Sequence, residues 1–159
     1  MQELLEILEK NSRISVKDLA VMLGEDEAGI ASQMTQLEKD KIIFGYHTMI
    51  DWDKAKIDRV TALIEVRVTP QRGEGFDYIA QRIYQFEEVT AVYLMSGAFD
   101  LTVIVEGKTM KEVALFVARR LAPIDQVLST STHFILKRYK DHGVILEETK
   151  NDERMLVSP

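Results

Sequence analysis

Residues 15–46 have the sequence SVKDLAVMLGEDEAGIASQMTQLEKDKIIFGY, in which the spacing of apolar side chains predicts two short helices joined by a tight turn. Ser15 followed by Asp18 is typical of a capping box, so the first of these helices is expected to begin there. Gly24 stands where a left-handed helix cap is needed. The second helix is expected over about residues 26–39, with three apolar side chains on its inner face: Ile30, Met34 and Leu37.

A further helix is predicted before this pair, because residues 4–8 carry a stripe of leucine and isoleucine. Three short helices with a short turn between the last two form a helix-turn-helix. Residues 42–50 then favour an extended hairpin, which would be a wing. The sequence therefore predicts a winged helix-turn-helix domain over residues 1–50.

The apolar pattern changes near residue 50 to strand-like alternation mixed with two further helices. The expected order over residues 61–140 is strand, helix, strand, strand, helix, strand, which is a ferredoxin-like βαββαβ domain. Both helices would cover one face of the sheet, while the other face keeps apolar and aromatic side chains. We therefore expect an α+β protein that forms at least a dimer.

Three parts of the chain have a less specific pattern. Residues 51–60 are expected to connect the two domains, with Trp52 as an anchor against either of them. The last strand is expected over residues 127–137, with alternate residues from Leu128 onward on one face. Residues 141–159 form a C-terminal tail that either adds an edge strand or extends into solvent.

The composition excludes several classes of function. The chain has no cysteine, so it has no disulfides, thiolate zinc sites or thiol nucleophiles. His47, His133 and His142 lie in different predicted elements, and no phosphate-binding loop or dinucleotide motif is present, so we expect no catalytic residue, metal or cofactor. Arg119 and Arg120 resemble an anion site but are interpreted as marking a helix C-terminus.

The 159 residues, of which 46% are hydrophobic and 29% charged, suit a globular protein of one mid-sized domain or two small ones. No apolar run approaches the ~20 residues that a transmembrane helix needs, and the first residues lack the positive charge of a secretory signal. We therefore expect a cytoplasmic protein with no membrane partner.

Three motifs resemble one known family. Residues 37–46, LEKDKIIFGY, resemble the end of the helix-turn-helix in the Lrp/AsnC (feast/famine) transcriptional regulators. Residues 15–23, SVKDLAVML, are similar to the second helix of that family, and residues 97–100, GAFD, resemble its G-x-[YF]-D hairpin. The resemblance spans about residues 1–140, and the order of the motifs makes it fairly specific.

The resemblance implies a sequence-specific regulator of transcription with a RAM-type C-terminal domain. Such proteins form homodimers through this domain, often assembled further into tetramers or octamers, and their winged helices bind double-stranded DNA. Small effectors, commonly amino acids, bind between the C-terminal domains. These implications assign DNA binding to residues 1–50, and effector binding and oligomerisation to residues 61–140.

Polar side chains on the outer face of the third helix are the predicted contacts to base edges in the major groove. The family usually carries arginines in the middle of this helix, where this chain has only uncharged polar residues. The predicted base contacts are Ser32, Thr35 and Gln36, with Lys39 on the same face. Gln33 lies on the flank of this face, where both a base contact and a solvated surface position are open. The predicted phosphate contacts are Lys17, Lys39 and Lys41.

The charge of the predicted DNA-binding domain leaves a second interpretation open. Residues 1–50 contain five basic and nine acidic side chains, a net charge of −4 within the −6 of the whole chain. Because phosphate neutralisation supplies most of the nonspecific affinity, one domain should bind weakly, although several domains per assembly would compensate. The alternative is an effector-sensing or protein-interaction assembly whose acidic helix-turn-helix binds DNA weakly or not at all.

An enzyme is a third interpretation, since some tetrapyrrole-modifying decarboxylases look like this family's fold. Such an enzyme would need basic residues clustered around its substrate, and the arginines of this chain are scattered. We therefore expect a regulator without enzymatic activity.

Residues 97–100 place a carboxylate and exposed backbone groups at one end of the sheet, which suits the ammonium and carboxylate of an amino acid. Thr130 and Thr132 match a T-x-T run of the family, which implies hydroxyl groups at the same cleft. The predicted effector residues are Gly97, Phe99, Asp100, Thr130 and Thr132. A structural role is also open, because glycine permits a positive φ, aspartate caps turns and threonine is common in strands.

Overall fold

Three helices make up the first part of the chain in the computed structural model, which describes residues 1–69, 73 and 75–146. Their bounds are α1 Gln2–Lys10, α2 Val16–Leu23 and α3 Glu27–Lys39. The Oγ of Ser15 accepts a hydrogen bond from the backbone N–H of Asp18 at 3.0 Å, and Gly24 ends α2 with φ +67°. Both predicted caps are therefore confirmed, and with them the helix-turn-helix.

A small apolar core holds these helices together, and it lies within the unit Met1–Ile50. Its buried members are Leu4, Leu8, Leu19, Ala20, Ile30 and Leu37. Met34, predicted to face inward, is half-buried against this core. All three apolar positions predicted for the inner face of α3 are thus confirmed.

The hairpin predicted over residues 42–50 is wrong, because the chain forms no strand between α3 and residue 60. Instead, the backbone N–H groups of Ile42 and Ile43 donate to the carbonyl of Leu37, so this segment starts as a helix-terminating turn. Phe44 is 87% exposed, and the segment has no neighbouring strand with which to pair. An isolated two-stranded hairpin is marginal in water, which explains why the apolar alternation does not produce one.

A second compact unit begins at Asp51, so residues 51–60 belong to it. Trp52 contacts this unit, because the guanidinium of Arg59 lies 4.6 Å from the centre of its ring. The main elements are β1 Val60–Val68, α4 Gly75–Tyr84, β2 Val89–Leu94, β3 Leu101–Gly107, α5 Met110–Phe116 and β4 Val127–Phe134. A π-helical turn, Val117–Leu121, continues α5.

The four long strands form one antiparallel sheet in the order β2-β3-β1-β4, which is the ferredoxin-like arrangement predicted from the sequence. Two short strands, β5 Lys140–Asp141 and β6 Val144–Ile145, pair only with each other. The first part of the tail therefore forms a separate hairpin and not an edge strand of the main sheet. The tail beyond residue 146 lies outside the described residues.

The register of β4 differs from the prediction at one position. Arg67 pairs with Ser129 while Val68 pairs with Val127, so a bulge falls at Leu128. Leu128 is 67% exposed and does not share the inner face with Thr130, and Val127 packs against the core in its place. A bulge adds one residue to a strand, so the side chains on either side of it no longer alternate regularly between the two faces. A regular alternation in the sequence does not predict where this happens. The strand also ends at residue 134 and not at 137.

The two faces of the sheet have different chemistry. The face under α4 and α5 forms the main core, whose β1 members are Ala62, Ile64, Val66 and Val68. The residues between them, with their partners on β2, β3 and β4, form the open face. This face includes apolar side chains at Leu63, Ala91, Tyr93 and Ile104, and polar ones at Glu65, Ser131 and His133. In the part of the chain that the structure describes, no helix is long and apolar enough to cross a membrane.

Candidate DNA-binding and effector sites

Four of the predicted DNA contacts lie together on α3. Ser32, Thr35, Gln36 and Lys39 are exposed, while Ile30 and Leu37 on the opposite side of the helix are buried. This distribution follows from the helical period, since residues three and four apart share a face. The outer face of α3 is therefore a continuous polar row that ends in a lysine.

Two side chains of this row are held by hydrogen bonds along the helix. The hydroxyl of Thr35 donates to the carbonyl of Ala31 at 2.9 Å, and the amide Nε2 of Gln36 donates to the carboxylate of Asp40 at 2.9 Å. These bonds occupy donors, so the Gln36 amide oxygen and the Thr35 hydroxyl oxygen remain as acceptors. Acceptors of this kind match the exocyclic amino groups of adenine and cytosine.

Gln33 lies apart from this row. It is half-buried, and its amide donates to the carboxylate of Glu25 in the turn between α2 and α3. The contact places Gln33 against the turn of the motif. Gln33 therefore lies on the flank of the outer face.

The remaining predicted contacts are lysines on other elements. Lys17 is exposed in the first turn of α2, and Lys41 is exposed just after α3, where it adopts a positive φ of 57°. The acidic side chains of α3 are at its two ends, at Glu27 and Glu38, so the central turns carry no charge. The unit is acidic overall, but the outer face of α3 carries uncharged polar side chains up to Lys39.

The predicted effector hairpin is closed by backbone hydrogen bonds. The N–H of Met95 donates to the carbonyl of Asp100 at 2.8 Å, and the N–H of Asp100 donates to the carbonyl of Val66 at 3.1 Å. Gly97 has φ +150°, a conformation that disfavours other residues. The Oδ2 of Asp100 accepts from the backbone N–H of Val68 at 2.8 Å. One carboxylate oxygen thus has a structural role, and Oδ1 has no protein partner among the described residues.

The two predicted threonines lie two strands away from this hairpin. Thr130 pairs with Val66, the residue whose carbonyl binds Asp100, and Thr132 pairs with Ile64. Since β1 separates β3 from β4, about 10 Å lies between the two groups in one chain. Both threonines are half-buried. The structure therefore brings Asp100 and Thr130 to the two sides of Val66 without direct contact.

A cavity at the other end of β3 was not predicted as a site. It is lined by residues of β3, α5 and the following turn, including Arg119 and Arg120. The sequence feature that pointed to this cavity is the pair of adjacent arginines. Their position beside apolar residues depends on how α5 packs against β3, which the sequence alone does not show. The described residues contain no group of three or more histidines or carboxylates that could hold a metal ion.

Comparisons with known proteins agree with this architecture. The sequence profile of the Lrp/AsnC ligand binding domain matches residues 61–145. The HTH-type transcriptional regulator YugG of Bacillus subtilis is 49% identical over 158 residues, which cover 99% of this chain and 95% of that protein. The alignment includes the helix-turn-helix, so the similarity is not confined to the second unit.

Two solved structures share the fold. AsnC of E. coli has a TM-score of 0.65 at 20% identity and covers 85% of this chain and 89% of its own. The transcriptional regulator NMB0573 of Neisseria meningitidis, solved with L-methionine, has a TM-score of 0.70 at 20% identity, with coverage of 87% and 88%. With the profile match and the close relative, these likenesses show that the chain belongs to the Lrp/AsnC family of transcriptional regulators and is not an enzyme.

Proposed function

We propose that this regulator binds specific double-stranded DNA through the outer face of α3 and responds to a small amino acid. The observation that supports DNA binding is the neutral polar row on α3 with lysines around it. In this assignment Ser32, Thr35 and Gln36 contact bases, Gln33 supports the turn beside them, and Lys17, Lys39 and Lys41 contact phosphates. A DNA-binding regulator acts where the chromosome is, so we place it in the cytoplasm.

The negative charge of the first unit makes one copy a weak binder, because few phosphates can be neutralised by three lysines. Two copies on one operator raise the effective concentration of the second helix without any new contact. A homodimer, with further assembly to tetramers or octamers, therefore supplies affinity that the single domain lacks. The dimer predicts an operator with two related half-sites.

The open face of the sheet is the surface that we assign to the dimer. Tyr93 is 56% exposed there, on the same face as the half-buried Leu63 and Ile104. Apolar side chains on a face without covering helices favour association, and a two-fold dimer buries the same face on both copies. This assigns oligomerisation to the second unit.

We assign the effector site to residues 97–100 together with Thr130 and Thr132. The free Oδ1 of Asp100 is suited to an ammonium group, and hydroxyl groups are suited to a carboxylate. A relative of the same fold, NMB0573, was solved with L-methionine, which supports an amino acid as the ligand class. Because the two groups lie on opposite sides of β1, Gly97, Phe99 and Asp100 of one copy would act with the threonines of another.

Fluorescence anisotropy with labelled DNA from upstream of the gene tests the proposal, at about 50 mM and about 200 mM salt. We expect saturable binding that exceeds binding to random DNA and weakens as salt rises. The double substitution Gln36→Glu and Lys39→Glu should abolish specific binding. The matched control Gln81→Glu and Lys111→Glu makes the same charge change at exposed positions of α4 and α5 and should bind like the wild type.

Equal affinity of the α3 variant and the wild type would refute the recognition-helix assignment. Absence of binding at both salt concentrations would favour the protein-interaction assembly, which the net charge of −4 in residues 1–50 makes the second candidate. A panel of amino acids in the same assay tests the effector assignment, since a shift of the binding curve that is lost in Thr130→Val identifies the site.

A further inference from the structure

A cavity of about 360 Å³ lies between the end of β3 and the adjoining face of α5. This volume is within the range of natural small-molecule sites. The predicted effector hairpin adjoins the first residue of β3, Leu101, whereas the cavity adjoins the last, Gly107. Six residue steps along a strand span roughly 20 Å, so the two sites are distinct.

One face of the helix forms a wall of the cavity. Glu112, Leu115, Phe116 and Arg119 line it, and their spacing of three and four residues places them on the same side of the helix. Val105 lines the cavity from the strand. The wall is thus apolar in its middle, with a carboxylate at one end and a guanidinium at the other.

Gly107 lies where the end of β3 approaches α5. A Cβ on Gly107 would lie 3.0 Å from Cγ2 of Val113, which is tighter than most real Cβ contacts. A side chain at this position would therefore require the Val113 side chain to shift by a few tenths of an ångström. Glycine at this position favours the close approach of helix and strand.

The two arginines of the cavity have different environments. Arg120 is neutralised, since its Nη1 donates to the Glu88 carboxylate at 2.8 and 3.1 Å, and its guanidinium lies 4.4 Å from the ring centre of Phe86. Arg119 is exposed and has no hydrogen bond or ion pair with any residue that the structure describes. The cavity therefore contains one guanidinium with all of its donors available.

We propose that this cavity is a second ligand site, which takes a small aliphatic molecule carrying one carboxylate. The carboxylate binds Arg119, and the aliphatic part packs on Leu115, Phe116 and Val105. A guanidinium matches a carboxylate with two parallel hydrogen bonds. Glu112 and Glu88 disfavour a dianion such as phosphate, so the ligand is a monoanion. Glu112 also accommodates an ammonium group, so an amino acid and a simple fatty or oxo acid share the required chemistry.

Isothermal titration calorimetry of the full chain tests this site with three probes of similar aliphatic skeleton: 4-methylpentanoate, leucine and isoamylamine. We expect 4-methylpentanoate, leucine or both to bind, and isoamylamine not to bind, because it has no carboxylate. Arg119→Gln should weaken binding at least about tenfold, the expected loss for one charged hydrogen-bonded pair. Arg13→Gln removes another exposed arginine, in the first unit, and should leave the affinity unchanged.

Two further variants locate the bound molecule. Leu115→Asn places an amide on the apolar wall at a position that is 37% exposed, so it should weaken binding without unfolding the chain. Thr130→Val alters the proposed effector site, so leucine binding there would be lost, but it should leave the binding of 4-methylpentanoate at Arg119 intact. The proposal is overturned if neither carboxylate probe binds, if isoamylamine binds equally well, or if Thr130→Val abolishes the binding of 4-methylpentanoate while Arg119→Gln does not.

Discussion

The carboxylate of Asp100 accepts a hydrogen bond from the backbone N–H of Val68, with 2.8 Å between Oδ2 and the nitrogen. The N–H of Asp100 donates in turn to the carbonyl of Val66. This pair of bonds joins the start of β3 to the end of β1, where β1 pairs with β4 across the bulge at Leu128. The aspartate of the family hairpin therefore closes the sheet in addition to any contact with a ligand.

Asp100→Ala should lower the free energy of unfolding by about 1 to 3 kcal/mol, because it leaves the N–H of Val68, a buried residue, without its partner. Asp100→Asn retains an acceptor oxygen and should cost less, while it removes the negative charge offered to an effector. Chemical denaturation measures both variants, with Asp125→Ala as an exposed control that should change stability little. Equal stability of the alanine variant and the wild type would refute the structural role.

Gly24→Ala should destabilise the first unit by about 1 kcal/mol, because Gly24 has φ +67° at the end of α2 and alanine is strained there. Gly45→Ala is the matched control. Gly45 has no positive φ, and a Cβ there meets nothing closer than 3.9 Å, so the control should be neutral or slightly stabilising. Thermal unfolding followed by helical circular dichroism compares the two, and equal loss in both would contradict the cap assignment.

Local chemistry explains why the helices could be predicted. Ser15 and Gly24 act through backbone groups within a few residues, so their roles are visible in the sequence alone. The sequence of helices and strands along the second unit follows in the same way from residues that alternate or recur every three to four positions.

The remaining features depend on contacts between distant residues. The bulge at Leu128 is set by how β4 aligns with β1, and the second role of Asp100 requires the end of β1 to lie beside it. The failed wing has the same origin, since the apolar alternation of residues 42–50 needs a partner strand that the unit does not supply. Likewise, Arg119 and Arg120 differ in their ion pairing because Glu88 lies beside Arg120, a contact that the sequence does not show.

The hydroxyl of Tyr46 donates to the carboxylate of Glu38 at 2.9 Å, which ties residues 43–50 to α3. Burial, together with the hydrogen bond and negative charge of Glu38, raises the pKa of Tyr46 above its usual value near 10. The neutral phenol is therefore favoured in the folded state. Its contribution to stability is complete below pH ~10 and is lost as the pH rises through the folded pKa, because the unfolded chain ionises first.

Ultraviolet titration of the tyrosines to tyrosinate tests the direction of this pKa shift. Tyr46 should ionise at a pH above its usual value near 10, and Tyr46→Phe should remove that late component. Glu38→Gln should lower the pKa of Tyr46 part of the way toward its usual value, because the burial of the phenol remains. A titration curve that keeps its late component in Tyr46→Phe would show that another tyrosine is responsible.

Tyr93→Glu should dissociate the proposed dimer, because it places a charge on the open face, on the edge strand β2 and on the same row as Glu65. Tyr84→Glu is the matched control: Tyr84 is 53% exposed on α4, against 56% for Tyr93, but it lies on the helical side of the sheet. Size-exclusion chromatography with light scattering measures the mass of each variant. We expect a monomer for Tyr93→Glu with unchanged circular dichroism, and the wild-type mass for Tyr84→Glu. If Tyr84→Glu dissociates the assembly and Tyr93→Glu does not, the subunits associate through their helices, and the apolar open face must have another partner.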